Sequence, residues 1–378
     1  MNLEKKNNSI EAKIYRNGSL LSLVFITIAI IGFALILIPS FFTNDISNFN
    51  FLIGGFLSPL IAIAAALLTF LAFYIQFKAN LIVQEQFITQ QKQFEIQQKQ
   101  LKLQQFESQF FEMVKLHKEN INEMKITGYD LIIQQSFSAT KKNNYNTEVQ
   151  TLRYTEGRKV FVTMETELFA IFEFLIKYNS ELKKKYKMKD LFNYSYQIFF
   201  FGSNSTLLYS KTFDKAFIKY VRKNLNEVRK IHKESSGKNN EFSGLKKQIG
   251  LYIKYSPFTG HESRLGHYYR HLFSAVKYVV KKENEGLFDY YKSREYLKIL
   301  RSQMSNDEQL MFYYNYLAGY GKKWENSQNK FFSDYRMLHN LPLDKTKYEN
   351  PRKHFKAQIL RIRQETNGRE EMFEWDEK

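Results

Sequence analysis

The residues of this chain best suited to chemistry lie in the stretch GHESRLGHYYRH, residues 260–271. Three of the seven histidines, His261, His267 and His271, fall within it, together with Arg264. A histidine can act as a general acid or base near neutral pH, and a guanidinium group can hold a phosphate. Arg264, His267 and His271 are therefore the candidate catalytic residues, with Arg264 expected to hold phosphate and His271 to move a proton.

The spacing of apolar residues predicts that residues 263–280 form a helix. Six apolar side chains share one arc of it: Tyr269, Leu272, Phe273, Val276, Val279 and Val280. Arg264, His267 and His271 lie together at one edge of this arc. The pattern thus places the two histidines at the boundary of the core, beside the arginine.

Two other interpretations of the stretch stay open. The histidines can form a boundary face that hydrogen-bonds to a neighbouring helix or to water. Histidines four residues apart can also bind one metal ion, with His261 or Glu262 as a third ligand, although no HExxH motif is present. The chain has no cysteine, which excludes disulfides, thiolate nucleophiles and cysteine–zinc sites. We predict neither a metal ion nor a cofactor.

Other catalytic templates are missing from the sequence. It contains no G-x-x-x-x-G-K-[ST] phosphate loop, no G-x-G-x-x-G after a strand and no G-x-S-x-G elbow. GYGKK at 319–323 is typical of the end of a helix. LKKKYKMKD at 182–190 is either a patch for nucleic acid or lipid, or a solvated helix face.

The net charge is strongly positive, +18, and residues 110–378 carry +16 of it. Such a field attracts anions, which include nucleic acid, acidic partners and the anionic inner leaflet of a membrane. The lysines are spread along the sequence, which is also expected where an AT-rich genome favours lysine codons. The charge alone therefore does not select a partner.

Two apolar segments predict a transmembrane hairpin, with spans at about 20–41 and 52–76. Neither contains a charged residue, and each exceeds the roughly 20 residues that a helix needs to cross a bilayer. Lys5, Lys6, Lys13 and Arg16 precede the first span, Lys78 follows the second, and the connecting loop has no Lys or Arg. The positive-inside rule then predicts an integral membrane protein with both termini and the main domain in the cytoplasm.

The sequence predicts a cytoplasmic segment at 1–18, followed by the hairpin at 19–77. A Gln-rich helical stalk at 78–109 then joins the hairpin to the body. No Gly or Pro interrupts it. One apolar series, Phe87, Phe94 and Leu101, recurs every seven residues. A second series, Ile96, Leu103 and Phe110, has the same period and is shifted from the first by two positions. A two-stranded coiled coil needs an offset of three or four, so packing on the body or on neighbouring copies is the expectation.

The fold class is predicted to be mainly α, with a helical cytoplasmic domain at 110–345 and a polar, mobile tail at 346–378. Helices are expected at 157–178 and 204–232, and two more within 293–318. Ser305 is predicted to cap the last of these in a capping box with Glu308. The polar stretch at 138–148 predicts an exposed loop.

Two resemblances bear on function. The spacing Arg264-x6-His271 resembles the R-x4-6-H motif of HEPN ribonucleases, compact helical domains that often cut RNA as dimers. Leu265 departs from the polar residue that usually follows the arginine in that family. The resemblance implies a metal-independent ribonuclease, if the protein is an enzyme.

The order of segments over residues 80–320 resembles phage abortive infection proteins of the AbiC-like type. It is carried by QFFEMVKLHKENINEM, GHYYRHLFSAVKYV and YLKILRSQMSNDEQLMFYYNYL, which follow the Gln-rich helix. This resemblance implies a bacterial antiphage protein of the cell membrane that senses infection or executes growth arrest. Within this hypothesis we expect a phage component or RNA as partner and a homo-oligomeric state. The alternative is a non-enzymatic membrane scaffold or signalling adaptor that docks a cytoplasmic partner.

Overall fold

The computed structural model describes residues 58–136, 145–208, 210–235, 241–242 and 249–376, together with six single positions. Those positions are 23, 27, 30, 31, 34 and 55. The chain divides into two compact units, Met1–Gln98 and Lys99–Lys378. The first predicted membrane span, at about 20–41, lies outside the described residues apart from five of the single positions.

Helix α1, Ser58–Asn122, begins in the first unit and ends in the second. Within the described part of the chain it alone is long and apolar enough to cross a membrane, and its apolar stretch has no buried side chain. Its described apolar stretch lies within the predicted second span. The sequence has no Gly or Pro between Pro59 and Gly128, so nothing breaks the helix before Asn122.

In the second unit, α1 is followed by a β-hairpin that the sequence pattern did not predict. Strands β1 (Lys125–Ser136) and β2 (Tyr145–Glu156) pair antiparallel, in a register that runs from Lys125 opposite Glu156 to Ser136 opposite Tyr145. The predicted loop at 138–148 therefore ends earlier than expected, because residues 145–148 belong to β2. Residues 137–144 lie outside the described part of the chain.

The body of the second unit is helical, as predicted. Its longer helices are α2 (Lys159–Glu181), α3 (Met188–Phe201), α4 (Lys215–Glu234), α5 (Glu262–Asn284), α6 (Tyr290–Ser302) and α7 (Asn306–Leu317). The short strands β3 (Glu241–Phe242) and β4 (Ile249–Gly250) pair between α4 and α5. Helices α8 (Pro351–His354) and α9 (Lys356–Glu365) follow near the end of the chain.

Helix α2 lies at the centre of the core and packs on α3, α4 and α7. Its apolar residues surround the helix instead of forming one stripe, which is the pattern of a helix buried on most sides. The predicted capping box at the start of α7 is confirmed: the Ser305 hydroxyl accepts from the Glu308 amide, and the Glu308 carboxylate accepts from the Ser305 amide.

The end of α1 packs against the body of the second unit. Phe106 and Phe110 are fully buried, and their rings lie 4.9 and 5.3 Å from the ring of Tyr296. The last turns of the predicted stalk, from Lys99 onward, thus belong to the compact second unit.

The segment 346–378 differs from the predicted polar, mobile tail. Over its described part it packs on the body, with Phe355 and Phe373 fully buried. The Glu370 carboxylate pairs with the guanidinium groups of Arg294 and Arg336. The acidic residues that suggested solvent exposure are partners for arginines, and the aromatic residues between them fill the core.

Candidate functional site

Helix α5, which carries the candidate residues, starts at a close crossing of two backbone segments. Gly202 and Gly260 both have positive φ angles, of 90° and 93°. A Cβ atom at Gly202 would lie only 2.6 Å from the carbonyl oxygen of Thr259, so this approach requires glycine. The amide of His261 donates to the carbonyl oxygen of Phe200 across the crossing, at 2.8 Å. The N-terminus of α5 is thereby fixed to the end of α3.

His261 is a core residue, bound to a buried carboxylate. Its Nε2 lies 2.9 Å from Glu167 Oε2, and both side chains are shielded from solvent. The same carboxylate accepts from the Tyr255 hydroxyl at 2.8 Å and from the Phe258 amide at 2.6 Å. Three partners thus satisfy the two oxygens of this buried carboxyl group, as a polar group in the interior requires. This cluster joins α2 to the start of α5 and is closed to substrate, so the role of His261 here is positioning.

The three predicted site residues lie on α5 in different surroundings. Arg264 is half-buried, and its Nε donates to the backbone oxygen of Lys125 at 2.8 Å. His267 is exposed, whereas His271 is half-buried. Arg264 and His271 are two helical turns, or about 10 Å, apart along the axis. Among the described residues no hydrogen bond joins them, so together they can contact only a ligand that spans this distance.

The partner of His271 is His117, a residue of α1 to which the sequence pattern did not point. The two rings stack with centroids 5.9 Å apart and planes 15° apart. His117 is fully buried, and neither ring nitrogen has a hydrogen-bond partner among the described residues. A signal was present in the sequence, because His117 follows the buried Phe110 by seven residues and so shares its helix face.

Burial sets the charge of both histidines. Burial, His271 and Arg158 lower the pKa of His117 to about 4. Burial and, secondarily, His267 lower the pKa of His271 below its usual value. Both imidazoles are therefore neutral at physiological pH. A neutral, half-buried His271 is suited to accept a proton.

A second buried carboxylate, Glu308, binds the tyrosine that contacts His117. The ring of Tyr268 is 5.1 Å from that of His117, and the Tyr268 hydroxyl donates to Glu308 Oε2 at 3.0 Å. Arg158 Nε lies 3.5 Å from Glu308 Oε1. Burial raises the pKa of Glu308, while the contacts with Ser305, Tyr268 and Arg158 oppose that rise. Glu308 therefore combines a capping role with the ordering of Tyr268 and Arg158.

Metal binding through the α5 histidines gains no support from the geometry. His261 is turned to Glu167, and the described residues contain no group of three or more His, Asp or Glu side chains that could hold a metal ion. The chemistry available at the surface of α5 is proton transfer by His271 or His267 and phosphate binding by Arg264.

Comparison with known proteins bears on the same segment. No curated protein and no solved structure matches the chain. Residues 260–346 match the model of a family described as "Putative phage abortive infection protein". The matched segment includes α5, α6 and α7 and carries all three predicted site residues. The resemblance to abortive infection proteins that the sequence predicts is thus confirmed for residues 260–346.

Proposed function

We propose that this chain acts in bacterial defence against phage by abortive infection, in which infected cells stop growing or die before the phage matures. The observation that carries the proposal is the family match over residues 260–346. Two buried carboxylates, Glu167 and Glu308, anchor the start and the inner face of α5 within this segment. The matched region is thus a rigid part of the body, on which a surface site can be held in place.

The proposal includes a membrane anchor with the body on the cytoplasmic side. It is supported by the apolar stretch of α1 and by the basic residues that flank the predicted hairpin. The chain has no cysteine, so single cysteines report on topology without background labelling. Asn48→Cys, in the predicted external loop, should react with a membrane-impermeant maleimide in intact cells. Lys230→Cys, on the body, should react only after lysis, and the reverse pattern would contradict the orientation.

In the enzymatic form of the proposal, α5 cleaves RNA. His271 takes the proton of a ribose 2′-hydroxyl, the 2′-oxygen attacks the adjacent phosphorus, and the 5′-oxygen leaves with a proton from water. Arg264 lies about 10 Å from His271 along the helix and so holds a phosphate farther along the same strand, which positions the RNA for the attack. The neutral state of His271 supports the role of base, and no metal ion is needed.

The test is phage plaquing efficiency and host survival for the wild type and for Arg264→Ala, His267→Ala and His271→Ala. Lys277→Ala is the matched control, because Lys277 is exposed on the same helix. Membrane levels of every variant are checked by blot. We expect Arg264→Ala and His271→Ala to lose protection. RNA should be degraded only in infected wild-type cells. Intact RNA during an active response would exclude cleavage and leave defence by another output.

A second candidate function, a membrane scaffold that assembles from copies of this chain, is favoured by the outward face of α1. Along this side of α1, from the exposed Leu101 and Leu116 to Gln109 and Met113 beside the body, runs a shallow depression of about 740 Å³. It is lined by Leu101, Gln104, Gln105, Ser108, Gln109, Glu112, Met113 and Leu116. Copies of a protein with net charge +18 repel one another through their positively charged surfaces. This face has only one charged residue, Glu112, and is therefore suited to contact between copies. Protection that survives all α5 substitutions but is lost with Leu101→Glu would favour this function.

A further inference from the structure

The fold brings two lysine-rich segments of the body together. One, residues 182–190, comprises the connection between α2 and α3 and the first turn of α3, and the other runs from residue 211 through α4. Asp214, the N-cap of α4, joins them: its Oδ2 accepts from Lys184 Nζ at 2.7 Å and from the Tyr186 hydroxyl at 2.8 Å. The ring of Tyr186 also packs edge-on against Phe213, with centroids 4.6 Å apart. The connection is thus fixed against the start of α4.

These two segments, 182–190 and 211–234, form what we call the basic surface. They contain thirteen Lys and Arg against four Asp and Glu, a net charge of +9, which is half of the excess of the whole chain. Ten of the lysines are exposed: Lys183, Lys185, Lys187, Lys189, Lys211, Lys215, Lys219, Lys223, Lys230 and Lys233. Half of the positive excess thus lies in two short segments that the fold brings together.

Most of this charge is uncompensated within the described residues. The basic surface has two ion pairs there, Lys184 with Asp214 and Lys230 with Glu234. Lys215, Lys219 and Lys223 recur every four residues and so form one stripe along α4, with successive side chains about 6 Å apart along the axis. Unpaired charges of one sign repel one another, and a bound polyanion relieves that repulsion.

The opposite side of α4 indicates whether the basic surface is suited to a soluble polyanion or to an anionic membrane. Phe217, Val221 and Leu225 form its apolar face, and all three are fully buried in the body. A helix that lies on a lipid surface needs its apolar face free to enter the headgroup region. In α4 that face is already occupied, and only the lysine face is available. This arrangement favours a soluble polyanion over a membrane.

We propose that the basic surface binds the phosphate backbone of a nucleic acid. Lysine ammonium groups contact phosphates as point charges and do not read base edges in a fixed geometry, so the binding is independent of sequence. The biological role of nucleic-acid binding rests on the proposed function in phage defence, but the binding itself does not. Binding itself is measured on purified protein, so either proposal can fail without the other.

The experiment uses the full chain in neutral detergent micelles. Fluorescence anisotropy follows the binding of a labelled single-stranded RNA 20-mer and of a duplex DNA 20-mer as a function of KCl concentration. One variant replaces Lys215, Lys219 and Lys223 by Gln, and a second replaces Lys185, Lys187 and Lys189. The control replaces three exposed lysines elsewhere on the body, Lys277, Lys298 and Lys323. All substituted side chains are exposed, so thermal unfolding should match the wild type.

The wild type should bind with a strong salt dependence, and each basic-surface variant should lose about tenfold or more in affinity at 0.1 M KCl. For RNA, loss of three phosphate contacts should reduce the slope of log K against log[KCl] by about 2, at roughly 0.7 per contact. The control should bind like the wild type. Tighter binding of RNA than of DNA, or the reverse, supports the proposal and identifies the nucleic acid.

Two results would overturn the proposal. One is an equal loss of affinity in the control, which would mean that total charge and not this surface determines binding. The other is binding to vesicles with anionic lipid, sensitive to the same substitutions, without measurable binding to either nucleic acid. That outcome would assign the basic surface to the membrane.

Discussion

The imidazole rings of His117 and His271 stack where α1 meets α5, with centroids 5.9 Å apart. His117 is the buried member, and neither of its nitrogens has a hydrogen-bond partner among the described residues. A buried polar group without a partner costs about 1–3 kcal/mol, and a buried charge costs more. Protonation of His117 therefore weakens the contact between the two helices.

We expect this contact to make the body sensitive to acid. The pKa of His117 is about 4 in the folded state and 6.5 in the unfolded state. Between these values the unfolded state binds more protons, so the free energy of unfolding falls as the pH drops from 6.5 to 4. The difference corresponds to about 3 kcal/mol. His117→Phe removes the titrating group, so its apparent Tm should fall less than that of the wild type between pH 7.5 and 5.

The matched control for acid sensitivity is His267→Phe, because His267 is exposed on the same helix as His271. Its Tm should follow the wild type across the pH range. At pH 7.5, His117→Phe should be as stable as the wild type or more stable, since an apolar ring replaces an imidazole without hydrogen bonds. Parallel Tm curves for His117→Phe and the wild type would show that His117 does not control the acid response.

The buried cluster around Glu167 should be the most sensitive point of α2. Glu167→Ala removes the acceptor of three donors, from Tyr255, Phe258 and His261, and leaves a cavity. We expect a loss of about 3–5 kcal/mol, measured as the free energy of unfolding in denaturant. Glu167→Gln keeps one acceptor oxygen and should lose less.

Glu173→Ala is the control for the cluster, since Glu173 lies on the same helix and is exposed. It should change stability by no more than about 0.5 kcal/mol. If Glu167→Ala were as stable as this control, the carboxylate would contribute nothing to the anchoring of α5. Defence activity is best compared between Glu167→Gln and the wild type, because that variant is expected to fold.

The helical parts of the fold were predictable wherever local sequence decides the structure. Helix α5 and the capping box of Ser305 and Glu308 follow from periodicity and from side-chain chemistry within one turn. The hairpin of β1 and β2 was missed, because its pairing joins residues up to 31 positions apart, as Lys125 and Glu156 are. Local polarity around 138–148 indicated a loop and carried no information on that pairing.

The candidate site was predictable only along one helix. Helical geometry places Arg264, His267 and His271 near one edge of α5, and their half-buried or exposed positions agree with it. The neighbours that set their chemistry come from elsewhere in the chain. His117 is 154 residues before His271, and the Lys125 carbonyl that binds Arg264 is 139 residues away. No spacing rule relates such residues, so their contacts required the structure.

The end of the chain offers the sharpest test of the packing, in two aromatic residues that differ in burial. Phe373 is fully buried, whereas Trp375, two positions later, is 56 % exposed. Phe373→Ala should cost about 3–5 kcal/mol in the free energy of unfolding, because it leaves a cavity in the core. Trp375→Ala should stay within about 1 kcal/mol of the wild type. If the segment were mobile, both substitutions would be neutral, and limited proteolysis would cleave the wild type after residue 346. If the segment is packed, the wild type resists cleavage there, and Phe373→Ala makes the same sites accessible to the protease.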